Sequence, residues 1–247
     1  MIKLFVTDLD GCISHPFRTP DWEAINAIRD LNLQSQNPGV IPRMTLCTGR
    51  PFPYAEAVAQ WLDIRLPFIF ESAGLYHWEG NRIVTALPED EGALDTINAM
   101  RDWLRHEVLP DYPGVIIEFT KMMDAGVVCM DHAIIDEIHR RVLEKVNGMD
   151  PLPEVHATDI SVNILLPGND KLQGVKLLSE ALEIRLDEMA YIGDSSGDVP
   201  AMKQVKMAFA PKNARQIAKD HAEVIDQEAT LAVLEAYHKI IRYNTEF

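Results

Sequence analysis

Three short stretches of the chain carry side chains able to do chemistry: Asp8-Leu9-Asp10-Gly11, Thr48-Gly49-Arg50 and Gly193-Asp194-Ser195-Ser196-Gly197-Asp198. Carboxylates gathered from the first and third stretches would repel one another and need a cation. With oxygen ligands alone the cation is a hard one, and magnesium, which keeps some of its waters, is the natural choice. A metal beside a carboxylate can neutralise a phosphoryl group that a bare acidic cluster would repel. One aspartate can then attack phosphorus and form an acyl phosphate. Its neighbour two residues on can protonate the leaving oxygen and later deprotonate water. Thr48 and its backbone, with Lys171, can hold the phosphoryl oxygens.

Taken singly, each stretch has a simpler explanation. Asp-Gly after a strand is a common turn signal, and Asp198 before Val199-Pro200 resembles a helix N-cap. Only their joint occurrence, each at the end of an apolar run, favours a site.

Those runs alternate with helical patterns. Residues 2–7 form a strand ending at Asp8, and Pro20-Asp21 opens a helix with Trp22, Ile25 and Ile28 on one face. Met44 to Cys47 is a second strand ending at Thr48, followed by a helix with Ala55, Val58, Ala59 and Leu62; Pro67 to Phe70 is a third strand. After Lys171 the rhythm resumes, with a helix through Val175, Leu178 and Leu182, a strand Met189 to Ile192 ending at Gly193-Asp194, another from Lys206 to Ala210, and a last helix through Leu234, Tyr237 and Ile241. Alternation of this kind predicts an α/β fold, a Rossmann-like doubly wound parallel sheet whose carboxyl-end edge gathers residues distant in sequence. Between about 80 and 164 the texture differs: paired strands at 83–87, 115–119, 126–130 and 160–166, with helices over 91–107 and 133–147. The expected division is a core of residues 1–80 and 165–247 with an inserted α+β domain over 81–164, its edges at the turn residues Glu79-Gly80-Asn81 and Pro167-Gly168-Asn169.

The 247 residues carry a net charge of −15, which disfavours nucleic acid or an anionic membrane as the main partner but not a small anion held at a local positive site. No stretch approaches the roughly 18 apolar residues of a membrane span. The apolar N-terminus runs straight into Asp8 without a small-residue cleavage site, so it reads as a strand, and a cytoplasmic protein is the expectation. Cys12, Cys47 and Cys129 have no metal-ligand spacing and read as reduced thiols.

At this point the residues match a known pattern. Across essentially its whole length the chain resembles the haloacid dehalogenase superfamily of phosphohydrolases, most closely the Cof-type and sucrose-phosphate-phosphatase-like branch with a large α/β cap. Asp8-Leu9-Asp10-Gly11 is similar to the first motif, Thr48 to the second, Lys171 to the third, and Gly193 to Asp198 with Ala201-Met202 to the fourth. The resemblance implies a nucleophile and metal ligand at Asp8, and an acid/base at Asp10 whose carbonyl also binds metal. It implies a metal ligand at Asp194, and at Asp198 support for the metal or for Lys171. Thr48 and Lys171 would hold the transferring phosphate, near which Asn213 would also lie, and Mg2+ would be the cofactor; Gly49 and Arg50 beside Thr48 are candidate substrate contacts, Arg50 reading equally well as a surface ion pair. Cys12 stands where the family usually has Thr, Gly197 where the branch usually has Asn, and Glu71-Ser72-Ala73-Gly74 where relatives often read Asn-Gly-Ala; Lys171 lacks the Gly that usually follows.

Hydrolysis of small phosphorylated metabolites, of sugar-phosphate or phosphoglycerate/phosphoglycolate type, is therefore the leading expectation. A sugar phosphomutase using the same aspartates and a non-catalytic metabolite sensor, prompted by Cys12 and Gly197, are the alternatives. Among weaker candidates, His15 could reach the site from the loop beyond Asp10 but reads better as a solvated loop residue; Lys121 and Met122-Met123 could face the substrate, the methionines reading better as packing; and Glu89-Asp90-Glu91 reads as an acidic helix start. Oligomeric state is not legible.

Overall fold

The computed structural model describes residues 1–247 except Phe17, 87–90, Asp159 and Phe247, and for 91–93 the backbone only. Glu89 and Asp90 of the expected acidic helix start thus lie outside the described residues. The chain divides into two units, Met1–Thr85 with Asp170–Phe247, and Ala86–Asn169 between them.

In the first unit β1 (Leu4–Thr7), α1 (Trp22–Gln34), β2 (Arg43–Leu46), α2 (Phe52–Trp61), β3 (Phe68–Phe70), β4 (Gly74–His77) and β5 (Arg82–Thr85) come first. The second unit holds α3 (Glu91–Trp103), β6 (Ile116–Ile117), β7 (Asp124–Val128), α4 (His132–Val146), β8 (Glu154–Ala157) and β9 (Ser161–Leu165). The first unit then resumes with α5 (Lys171–Leu182), β10 (Met189–Ile192), α6 (Val199–Met202), β11 (Met207–Pro211), α7 (Gln216–Lys219), β12 (Glu223–Ile225) and α8 (Ala229–Thr245).

A five-stranded parallel sheet of order β12-β11-β10-β1-β2 forms the first unit's centre. All four residues of β1 are buried, as a strand covered on both faces requires. Leu4 and Val6 pack in a cluster with Val175 and Leu178 of α5, while Phe5 meets the ring of Tyr237 in α8 at 5.3 Å. That alternation along one strand makes the sheet doubly covered. Asn244, near the end of α8, closes the layer by accepting from the Ile2 N–H at 2.6 Å and donating to the Ile2 carbonyl at 2.8 Å.

The strand at 68–70 departs from the expected parallel arrangement. It joins the main sheet through one parallel bridge, Cys47 to Ile69, and otherwise pairs antiparallel in a sheet of order β3-β4-β5. Pairing with β4 keeps residues 82–85 in the first unit, so the second opens at Ala86 rather than 81 and closes at Asn169 rather than 164.

The second unit is a four-stranded antiparallel sheet of order β6-β7-β9-β8 with α3 and α4 packed on it. The strand expected over 115–119 shortens to Ile116–Ile117, because the Phe119 N–H turns back onto the Ile117 carbonyl. The following turn carries Lys121 into a buried cluster, 2.8 Å from Asp124 and 3.0 Å from Glu118. The helix expected over 91–107 is α-helical to Trp103 and continues as a π-helical turn, Leu104–Val108.

Candidate active site

The carboxyl ends of β1, β2 and β10 lie side by side because these strands are neighbours in register: Thr7 pairs with Leu46 on one side and Ile192 on the other. Asp8 therefore follows directly from the central strand, its N–H bonded to the Ile192 carbonyl at 2.9 Å. Beyond it the chain turns at Gly11, where φ is +72°. A Cβ there would sit 2.1 Å from Asp194 Oδ2, so only glycine lets this loop lie against the β10 loop.

Lys171 is brought in from the first turn of α5, whose N-cap, Asp170, accepts from the Gln173 N–H at 2.9 Å. Its Nζ lies 2.8 Å from Asp8 Oδ1 and 2.6 Å from Asp198 Oδ1, and all three residues are buried. Burial alone would favour neutral lysine, but Asp198 and then Asp8 outweigh it and hold the ammonium charged, well above the ordinary lysine range.

Asp198 is the most fully engaged acid of the group. Oδ1 accepts from Lys171 and from Tyr191 Oη at 2.8 Å; Oδ2 accepts from the Asp194 N–H at 3.1 Å, the Ser195 N–H at 3.0 Å and Ser195 Oγ at 2.8 Å. Five donors fill the roughly four lone-pair sites of a carboxylate. Burial works against its charge, yet Lys171, Tyr191 and the Ser195 N–H together keep its carboxyl below the ordinary range. Gly193 is needed here for space, since a Cβ would fall 2.4 Å from Asp198 Cγ.

Asp8 and Asp194 stand differently. Burial pushes Asp8 well above the ordinary carboxyl range, opposed by Lys171, with Asp198, Asp194 and Asp10 adding to the rise. Asp194 is pushed up to about 7, by burial first and then by Asp198. One oxygen from each of Asp8, Asp194 and Asp198 lies within 4.8 Å of the others. Such oxygen donors, crowded and short of positive charge, fit a hard divalent cation. Asp8 and Asp194 keep lone pairs for it, whereas those of Asp198 are occupied. Asp10 is not among the three; its carboxylate is held by Arg50, with Nε on Oδ2 at 2.6 Å and Nη2 on Oδ1 at 2.9 Å.

Thr48 is fully buried, its Oγ1 accepting from the Arg50 N–H at 3.1 Å and its carbonyl from the Ser72 N–H at 3.0 Å. Ser72 and Glu71 both have positive φ, 68° and 44°, a backbone region that glycine enters more readily than side-chain-bearing residues. A Cβ on Gly49 would make only ordinary contact, 3.6 Å from Ser72 Oγ. Asn213 spans two loops: its Nδ2 donates to the Gly11 carbonyl at 2.9 Å and its Oδ1 accepts from the Ala229 N–H at 2.9 Å. Its amide thus clamps the loop after Asp10 to the start of α8.

Cys12 is buried, and burial first, then Asp8, pushes its thiol well up. Cys47 lies beneath Lys171, Sγ 3.9 Å from its carbonyl, with its pKa raised to about 12 by burial. Gly197 has open space around it, the nearest atom being Ser195 Oγ at 3.8 Å from a built Cβ. His15 lies 4.0 Å from Glu228, away from these contacts. Lys121 belongs to the second unit, in its own cluster with Glu118, Asp124 and Asn163.

Sequence reasoning passed over Tyr191 and Ser195. Tyr191 sits in an apolar strand and reads as core, and nothing in the sequence pairs its phenol with a carboxylate seven residues on. Ser195 carried a signal in retrospect, a hydroxyl three residues before an acid in a tight loop.

Comparisons with known proteins bear on family and fold. A family profile described as haloacid dehalogenase-like hydrolase matches residues 113–235. A phosphoglycolate phosphatase of Methanopyrus kandleri is 27% identical over 228 residues, covering 91% of this chain and 90% of that protein. A 5-amino-6-(5-phospho-D-ribitylamino)uracil phosphatase of Bacillus subtilis is 22% identical over 91% of this chain and 89% of its own length. Among solved structures, a haloacid dehalogenase-like hydrolase from Bacteroides thetaiotaomicron superposes with a TM-score of 0.73 at 17% identity, covering 97% of this chain and all of that one, a likeness of fold.

Proposed function

Since the chain belongs to the haloacid dehalogenase-like hydrolases and is a phosphatase, we propose that it hydrolyses small phosphomonoesters through a phosphoaspartyl intermediate on Asp8, with Mg2+ as cofactor. The observation that carries this reading is the buried ammonium of Lys171 set between Asp8 and Asp198 at the edge of the parallel sheet. An unpaired Asp8 would be neutral and inert there; beside Lys171 it has a cationic partner able to stabilise its charged, nucleophilic form.

In this reading Asp8 attacks phosphorus while Asp10 protonates the leaving oxygen, and Asp10 then takes a proton from the water that attacks the phosphoaspartate. Lys171 and Thr48 hold the phosphoryl oxygens, with the backbone at Gly49. Asp198 supports Lys171 and the 193–195 loop, and Asn213 fixes the loop after Asp10. Asp8, the Asp10 carbonyl and Asp194 would hold Mg2+, which when bound neutralises phosphoryl charge. The inserted unit would act as the cap that chooses the substrate. The substrate class is a small phosphorylated acid or polyol: one relative is named for phosphoglycolate and another for a ribityl phosphate.

Phosphate release from a panel containing 2-phosphoglycolate, phosphoglycerates and sugar phosphates, with magnesium and with chelator, tests the proposal. Release that needs metal and is lost in Asp8→Asn supports it. Isomerised product without free phosphate would replace it with a mutase, and binding without turnover with a sensor.

A further inference from the structure

Among the described residues, one side chain holds the Asp10 carboxylate. Arg50 donates twice to it, Nε to Oδ2 at 2.6 Å and Nη2 to Oδ1 at 2.9 Å. The Asp10 side chain is 32% exposed and stands in the loop after β1, where water alone would leave its carboxylate free to turn. Arg50 is fixed in its own right. Its N–H donates to Thr48 Oγ1 at 3.1 Å, its carbonyl accepts from the Glu71 N–H at 3.0 Å, and its guanidinium carbon lies 5.3 Å from the centre of the Tyr54 ring. A planar fork anchored at its root and braced on an aromatic face defines both the position and the plane of the carboxylate it grips.

We propose that Arg50 is a positioning residue for proton transfer, orienting Asp10, rather than the substrate contact or plain surface ion pair between which its sequence left it. The inference rests on Asp8 as nucleophile and Asp10 as acid/base. In the first step an Asp8 oxygen bonds to phosphorus, the bond from phosphorus to the leaving oxygen breaks, and the Asp10 proton goes to that oxygen. In the second, a water oxygen bonds to phosphorus, the bond to Asp8 breaks, and the water's proton passes to Asp10. Both transfers need one Asp10 oxygen at one place, and a displacement of about 1 Å can cost about 10²-fold. A leaving group that departs as a stable anion needs no proton in the first step.

That difference is the test. First-turnover and steady-state rates are measured for wild type, Arg50→Gln and Arg50→Lys. The substrates are p-nitrophenyl phosphate and the alkyl phosphate that wild type turns over fastest, in a panel beginning with 2-phosphoglycolate. Arg50→Gln should slow the first turnover of the alkyl phosphate about 10- to 100-fold, with KM changed less than about threefold. The same variant should release a first equivalent of p-nitrophenolate within about threefold of the wild-type rate and then turn over slowly, because breakdown of the phosphoenzyme still needs Asp10. Arg50→Lys, which keeps charge but not the fork, should fall between, and added guanidine should restore part of the loss in Arg50→Gln. Equal losses on both substrates with a raised KM would make Arg50 a substrate contact and overturn the inference, as would unchanged rates on both. A wild-type protein that releases phosphate from neither substrate would instead remove the phosphatase reading, and the inference with it.

Discussion

Lys171 and Asp198 form a buried ion pair of 2.6 Å, and the same ammonium reaches Asp8 at 2.8 Å. The two carboxylates come from different strand ends and share one cation, which helps hold Asp198 below the ordinary carboxyl range but only partly offsets the burial that raises Asp8. Each contact around this pair has a separable consequence.

Replacing Lys171 with Met should leave two buried carboxylates without their cation. The expected loss is about 3–5 kcal/mol of unfolding free energy, by urea denaturation at pH 7 without metal, together with at least about 10³-fold of phosphatase activity. Lys171→Met matching wild type in stability would show that the ammonium is not what holds the cluster together.

Tyr191→Phe removes one donor from Asp198 Oδ1 and leaves the ring in place. Asp198 retains Lys171 and three loop donors, so the expected cost is moderate: about 1–3 kcal/mol in denaturant melts and less than about tenfold in kcat. A larger fall in kcat than in stability would mark Tyr191 as more than a brace.

Magnesium should stabilise the folded protein apart from any turnover. At a concentration about 100 times its Kd, the gain in unfolding free energy is about 2.7 kcal/mol. Asp194→Asn should reduce that gain sharply while Asn213→Ala keeps most of it. Equal stabilisation of wild type and Asp194→Asn, read by thermal melting with and without magnesium, would remove Asp194 from the ligand set.

In the second unit, Lys121 lies between Asp124 and Glu118, and despite burial these carboxylates hold its ammonium above the ordinary lysine value of about 10.5. A raised folded-state pKa gives stability that is complete below the unfolded value and lost as pH rises through the folded one. Unfolding of this unit should therefore be insensitive to Lys121 between pH 7 and about 10, and its stability should fall above that. Lys121→Met should be less stable at pH 7 by about 3–5 kcal/mol and show a shallower alkaline decline, followed by far-UV circular dichroism across pH 8–12.

Much of the molecule was legible from local rules. Apolar runs, period-3.6 apolar patterns, the helix start at Asp21 and turn residues place β1, β2, β10 and the helices between them. The rule that a parallel sheet gathers its strand ends brings Asp8, Thr48 and Asp194 to one edge. The shortened strand at Ile116–Ile117 was not legible, because it ends where the Phe119 N–H turns back onto the Ile117 carbonyl, a local bond that the apolar run over 115–119 does not signal. Nor was the antiparallel turn of β3 onto β4, where hairpin pairing competed with the parallel sheet for the same short apolar run.

The sequence by itself determined which residues could react, since the acids, the lysine and the strands that carry them are written in type and spacing. Tertiary structure alone decided how they divide the work. Whether Asp198 meets a cation or saturates itself with Lys171, Tyr191 and Ser195 depends on distances between elements that are remote in the chain. So does whether Arg50 reaches outward or closes on Asp10. Side-chain partnership of that kind is a property of packing, which periodicity and propensity do not encode.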